Sequence, residues 1–246
     1  MNPRPTRALI DTRALRANLG VIQRQVGAGV AIIGVVKANC YGHDASICIP
    51  VLREGGIEIF AVATVEEAAT LRSMGVDERI IVMAPPLDGQ YDAFVALDAE
   101  PFVSNGHTAQ RLSAAATSAG RTLACHLFVD TGMGRDGVPP ADALRLLDSI
   151  RQLQGVRTVG FASHFATSDE VDNDWSHHQL RLFEAILREA QHAGHAFDLV
   201  HIANSGGVFN LPQSHFTAVR PGLSLYGFHP TQALHAASEL RPVLGL

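Results

Sequence analysis

A lysine closes the apolar run Ala31-Ile-Ile-Gly-Val-Val-Lys37. A cation in that place pairs, reaches out to solvent along its own stem, or reacts. Burial lowers an amine's pKa, and an uncharged amine is a nucleophile suited to Schiff-base chemistry. A lysine that simply reaches water from a strand end is the competing reading. Two glycine-bearing stretches, Ser205-Gly206-Gly207 and Arg220-Pro221-Gly222-Leu223, can each present backbone N–H groups to an anion. Taken singly, glycines that serve only a tight turn are the simpler account. Gly132-Met133-Gly134-Arg135-Asp136-Gly137 matches G-x-G-x-x-G literally. The acid that a dinucleotide site needs about 20 residues further on, at the end of the next strand, is missing. Ser163-His164 stand there instead, so these glycines read as a loop that carries Arg135 inward.

The twelve histidines invite a metal reading. His177 and His178 are adjacent, and a helix points them in different directions. His192 and His195 have a pairing interval but no flanking acid or cysteine. The histidines are therefore expected on exposed helix and loop positions, with no metal bound. His164, at a strand end, is the exception.

Positioning these groups requires a scaffold, and the chain supplies a regular one. Short apolar runs at 31–36, 59–62, 79–83, 101–103, 123–129, 158–162, 199–203 and 217–220 read as eight strands. Several are apolar on consecutive residues, which suits a parallel sheet buried on both faces. Helical patterns lie between them. Leu15, Leu19, Ile22 and Val26 share one helix face. Thr64 with Glu67 makes a capping box. Leu180, Phe183, Leu187 and Ala190 line the longest helix, which should end near Gly194. Eight strand–helix alternations in this length imply an α/β fold of the (β/α)₈ TIM-barrel type; a doubly wound sheet is the competing architecture. In a barrel, functional groups sit on loops after the strands' C-terminal ends. Lys37 to His43, Asp130 to Gly137, Ser163-His164, Asn204-Ser205 and Arg220 to Gly222 all follow strands, so the active site is expected at that mouth.

Bulk properties narrow the class. The 246 residues are 47% apolar and 17% charged, against about 25% charged in ordinary proteins, so an unusually large share is interior. A net charge of −5 and a pI near 6.2 leave no basic footprint for nucleic acid. The longest apolar stretch, 30–36, is far short of a membrane span, and the apolar run before Asp11 is too short for a signal-peptide core. Cys40, Cys48 and Cys125 form no C-x-x-C pair, which fits reduced thiols in a cytoplasmic protein.

At these residues the chain resembles the alanine racemase family. VVKANCYGH resembles its pyridoxal 5′-phosphate (PLP) lysine motif and DTGMGRDG its arginine loop. ASHFA, HIANSGG and VRPGLSLYG resemble its later barrel motifs, in the family's order, from residue 35 to 227. The resemblance implies that Lys37 carries PLP as a Schiff base and acts as the base on one face. It implies that Tyr41, Ser205, Gly222 and Leu223 hold the phosphate, with Asn204 and Tyr226 also among the cofactor-binding residues. Arg220 would hydrogen-bond the pyridine nitrogen, supported by His164, and Arg135 would lie near the phenolic oxygen and the substrate carboxylate. Lys37, Arg135 and His164 form the implied catalytic set. The implied activity is interconversion of L- and D-alanine, a peptidoglycan precursor, by a homodimer in which a C-terminal β-domain supplies a second-base tyrosine. That domain is absent from these residues: 1–235 are expected to be the PLP-binding barrel and 236–246 the start of the connection. Storage or delivery of PLP by a single-domain barrel is the alternative. Three departures stand out. Phe128 replaces a lysine that in some members positions the arginine, Cys40 adds a potential oxidation target, and Asp44 stands where glycine is common.

Overall fold

The computed structural model describes residues 7–170, 174–231 and 239–246, so the expected domain boundary at 235/236 lies outside the described residues. The elements are β1 (Leu9–Ile10), α1 (Thr12–Val26), β2 (Ala31–Val35), α2 (Lys37–Tyr41), α3 (Ala45–Glu54), β3 (Ile59–Val62), α4 (Val65–Ser73), β4 (Arg79–Val82), α5 (Tyr91–Leu97), β5 (Ala99–Val103), α6 (Gly106–Ser118), β6 (Leu123–Phe128), α7 (Ala143–Arg151), β7 (Val156–Ala162), α8 (Asp174–His192), β8 (Leu199–His201), α9 (Ser205–Asn210), β9 (Ala218–Val219) and β10 (Leu244–Gly245). The eight strands expected from the sequence are β2 to β9, each within two residues of its expected bounds. They form one parallel sheet in the order β8-β7-β6-β5-β4-β3-β2-β9. Because β9 pairs with β2, the first barrel strand, the order is circular and the doubly wound alternative falls. Two hydrogen bonds draw the remaining edges together, from Thr217 N–H to the Val200 carbonyl and from Arg220 N–H to the Ala203 carbonyl.

Most strands are largely apolar on both faces because each face meets a different core. Phe60, Val62, Ile80, Val82, Val103, Leu127 and Phe161 pack outward against the helices. Ile33, Val35, Ile59, Ala61, Ile81, Phe102, Phe128, Ala162, Leu199 and Ala218 form a separate cluster inside the barrel. The helix readings hold. Leu15, Leu19 and Ile22 are buried on α1 and Val26 packs against the same core. The Thr64–Glu67 capping box is formed at α4. Leu180, Phe183, Leu187 and Ala190 are buried along α8. Asn18, buried on α1, donates to the carbonyls of Leu225 and Arg241 and accepts from Arg241 N–H. It thereby holds the segment after β9 and the last residues against the barrel, where β10 pairs with β1.

The expectation of exposed histidines fails at several positions. His43, His126, His201 and His215 are buried, and His195 packs its side chain inward to meet Asp148. His126 and His201 lie in strands, two residues from Phe128 and Leu199 respectively, so the pleat turns them into the barrel. Gly160 faces His126 across the β6–β7 pairing, and a Cβ there would collide with the His126 ring. Gly160→Ala should therefore lower stability by about 1–3 kcal/mol, the usual cost of overpacking. Urea unfolding would show this as a lowered midpoint, and an unmoved midpoint would mean that the ring has room to shift.

Candidate active site

A cavity of about 410 Å³ opens at the C-terminal ends of the strands. Nine of the residues named from the sequence line it: Lys37, Tyr41, Arg135, His164, Asn204, Ser205, Arg220, Gly222 and Leu223. Tyr226 does not. It is fully buried behind the wall, where its hydroxyl donates to the Val35 carbonyl and its ring stacks on His43.

Lys37 and Tyr41 reach the cavity from an unusual turn. In α2 the residues Ala38, Asn39, Cys40 and Tyr41 have φ between 50° and 57°, a left-handed turn that costs L-residues roughly 1–2 kcal/mol each. Its surroundings hold it. Glu67 accepts from Ala38 N–H at 2.6 Å and from Ala63 N–H at 2.7 Å, so the residue that closes the α4 cap also clamps the turn. Asn39 Oδ1 accepts from Ala45 N–H, and His43 Nδ1 lies against the carbonyls of Cys40 and Tyr41. Lys37 Nζ ends 5.8 Å from the centre of the Tyr41 ring. Asp44 also has a positive φ of 67°, which explains why glycine suits that position. Its carboxylate offsets the strain by accepting from Ser46 N–H and Oγ–H at the start of α3. Cys40 is fully buried, and hydrogen bonding with Cys48 together with burial pushes its thiol pKa up. The expectation of an oxidation target beside the site is therefore corrected, since neither access nor thiolate is provided.

Across the cavity, three donors converge on one oxygen. Gly222 N–H, Ser224 N–H and Ser224 Oγ–H lie 3.0, 3.2 and 3.1 Å from Ser205 Oγ. Asn204 caps α9 by accepting from Gly207 N–H and also receives the Ser168 hydroxyl. The Tyr41 hydroxyl sits where a Cβ on Gly222 would be, so the absent side chain makes room for it. Burial raises the Tyr41 pKa to about 12, keeping it a donor. A tyrosine O–H and a serine O–H line one pocket corner, a pair that suits a phosphate, while the Gly222 and Ser224 N–H groups beside them are taken by Ser205 Oγ.

Arg220, 3% exposed, forms the floor. Its Nη1 donates to the His201 carbonyl and Nδ1, and its Nη2 to the Ser163 carbonyl at 2.6 Å and to His164 Nδ1 at 3.2 Å. Among the described residues, its Nε is buried with no partner. Burial and the positive charge of Arg135 lower the guanidinium pKa to about 9, which leaves it charged at neutral pH. Burial, then the charges of Arg220, Arg135 and Lys37, lower His164 to about 3, so its Nδ1 accepts as a neutral ring.

The glycine loop after β6 is internally satisfied. Asp130 accepts from the N–H groups of Gly132, Met133 and Gly134, so these donors do not face an anion. The loop brings Arg135 to the cavity, where its Nε lies 3.4 Å from Asp136. Phe128, standing where many family members carry lysine, stacks on Phe102 with ring centres 4.6 Å apart and forms an apolar wall.

The sequence model described as alanine racemase, N-terminal domain, matches residues 10–230. The chain belongs to the alanine racemase family. It is 37% identical to alanine racemase 2 of Caldanaerobacter subterraneus subsp. tengcongensis, covering 98% of this chain and 62% of that protein. It is 35% identical to alanine racemase 1 of Clostridium acetobutylicum, covering 99% and 63%. Among solved structures, the alanine racemase of Clostridium difficile 630 in complex with cycloserine superposes with a TM-score of 0.95 at 28% identity, covering 99% of this chain and 68% of that one. The enzyme from D-cycloserine-producing Streptomyces lavendulae gives 0.91 at 35% identity, covering 98% and 65%. The chain thus spans under two thirds of the length of these curated relatives.

Glu100, His126, His201, Ser224 and Asp136 were not singled out by the sequence reading. The strand histidines had a signal: polar residues inside CHLF and LVHIA, in runs otherwise apolar. Their burial also sets an acid sensitivity. His126, His164 and His201 are all lowered, so the native state keeps them neutral while the unfolded chain takes up protons below about pH 6.5. Stability is then present above that pH and lost as it falls toward about 3. Between pH 7 and 5, His164 alone should remove about 1–2 kcal/mol. Urea midpoints at the two pH values would show it, and equal midpoints would contradict neutral burial.

Proposed function

We propose that this chain is the PLP-binding barrel of an amino-acid racemase whose substrate is alanine. The observation that carries the reading is Arg220 Nε, a buried donor at the cavity floor without a partner among the described residues. A pyridine nitrogen is an acceptor of the right kind for it. The phosphate cradle of Tyr41, Ser205 and Gly222 lies in the same cavity, and Lys37 supplies an amine there.

PLP, when bound, supplies an electron sink that acidifies the α-hydrogen of an amino acid. The protein's part is to bind, orient and move protons. Lys37 Nζ would hold the cofactor and would accept the α-proton on its own face of the substrate. Arg220 would offer the ring nitrogen a hydrogen bond without giving up its proton. His164, neutral, accepts from Arg220 and steadies its plane. Arg135 offers a cation for the substrate carboxylate, and Phe102 and Phe128 keep water from one wall. Asn204 holds the start of α9, and Leu223 covers the outer edge of the cradle.

Racemisation needs a second acid–base on the opposite face. Of the chain's three tyrosines, Tyr226 is buried behind the wall and Tyr91, bonded to Asp88, lies outside the cavity. The reading therefore takes the second base from outside the described residues, in a homodimer of the cytoplasm. Among the described residues, no helix is long and apolar enough to cross a membrane.

Adding PLP should produce a visible Schiff-base absorption that Lys37→Ala abolishes; an unchanged band in the variant would overturn the assignment. With PLP and L-alanine in heavy water, the chain should place deuterium at Cα with retained configuration. Deuterated D-alanine formed at catalytic rates would instead put a second base within these residues. No exchange at all would favour cofactor carriage.

A further inference from the structure

A row of polar side chains runs through the barrel interior from the start of β4 to Arg220, outside the cavity wall. Arg79 Nε and Nη2 donate to the two carboxylate oxygens of Glu100 at 2.6 and 2.8 Å. Glu100 Oε2 lies 2.8 Å from His126 Nε2. His126 Nδ1 lies 2.9 Å from His201 Nε2, and His201 Nδ1 lies 2.5 Å from Arg220 Nη1. Both imidazoles are completely buried and Glu100 is 7% exposed. The surrounding interior is apolar, and an apolar residue at position 100 would fill it without an ion pair to desolvate. The pair's presence calls for another reason.

The hydrogens in this row can point only one way. Glu100, ionised, only accepts, so His126 carries its hydrogen on Nε2. Its Nδ1 then has a lone pair and must receive the hydrogen on His201 Nε2. That leaves a lone pair at His201 Nδ1, which Arg220 Nη1–H fills. The opposite tautomer of His201 would set N–H against N–H at Arg220. The row does not conduct a proton. Burial pushes the Glu100 carboxyl up, but hydrogen bonds from His126 and Arg79 outweigh this and hold it at about 2. Arg220 stays near 9. Moving a proton from one end to the other is uphill by several orders of magnitude, so the row orients and polarises.

We propose that Glu100, clamped by Arg79, is a positioning residue for the site: it anchors His126 from one end of the row as Arg220 fixes His201 from the other, and so holds the acceptor that keeps the Arg220 plane with Nε left for the cofactor ring. The last step rests on the functional reading above; the tautomer steps stand without it.

The test uses the chain labelled with ¹⁵N-histidine, whose long-range ¹H–¹⁵N spectra report the tautomer of each ring, followed by PLP titration. In the unaltered protein at pH 7.5, His126 and His201 should both be neutral with hydrogen on Nε2. Glu100→Gln keeps an oxygen that accepts from His126 and should keep both tautomers. Glu100→Leu should leave His126 Nε2–H without its acceptor and release that ring into mixed forms, while Arg220 keeps His201 on Nε2, and should weaken PLP binding by about tenfold, the worth of one buried hydrogen bond. Should Glu100→Leu not fold, Arg79→Leu with Glu100→Met removes both charges together and should give the same two changes. A role in packing alone would lower the stability of every variant and leave the tautomers in place. An unchanged His126 tautomer in folded Glu100→Leu or in the double variant overturns the proposal. Altered tautomers with unaltered PLP affinity overturn its coupling to the site. Failure of the unaltered chain to bind PLP overturns the functional reading, and with it that coupling, while the spectra still decide the tautomer steps.

Discussion

Placing a guanidinium inside an apolar barrel is costly unless nearly every N–H finds an acceptor. Arg220 meets that requirement with groups drawn from several strands: the carbonyl of Ser163 after β7, the carbonyl and ring of His201 on β8, and His164. Its own backbone N–H bonds Ala203 and helps draw the β8 and β9 edges together. The seam of the barrel and the floor of the cavity therefore depend on the same residue. Strand ends are fixed relative to one another because the cation they surround accepts no looser arrangement.

The scaffold was legible because each barrel strand is a short apolar run bounded by turn residues, and circular order follows from repeating one strand–helix unit. The mouth was legible too, since Lys37, Arg135, His164 and Arg220 all directly follow strands or lie on the loops after them. What stayed hidden has a common cause. In a strand buried on both faces, polarity does not alternate, so nothing in LACHLF says whether His126 faces helices or the barrel axis. Glu100 and Arg79 are separated by a whole helix and meet only through the β4–β5 pairing. Tyr226 illustrates the reverse error. Its motif lies beside the phosphate cradle, but the 3₁₀ turn at 223–226 rotates the ring inward, where the Val35 carbonyl takes its hydroxyl.

Positive charge predominates at the mouth, with Lys37, Arg135 and Arg220 set against Asp136 and Asp169. Arg220 and Arg135 each lower the affinity of His164 for a proton, and Arg135 does the same to Arg220. Such mutual repulsion is tolerable where an anion is to be received, and it adds to burial in keeping His164 neutral. Asp136 beside Arg135 partly offsets the field at the rim, while Phe128 leaves the inner wall without any charge to hold that arginine.

The left-handed turn at 38–41 has a consequence for variation among sequences of this kind. Its mirror-image backbone is strain-free only for glycine or for residues of D configuration, and asparagine tolerates it better than most L-residues. Valine, isoleucine and threonine are effectively barred there. Lys37 precedes the turn and Tyr41 ends it, so any substitution that lets these four residues relax to ordinary handedness would carry both side chains away together. The amine and the phenol are thus inherited as one unit, tied by the hand of the backbone between them.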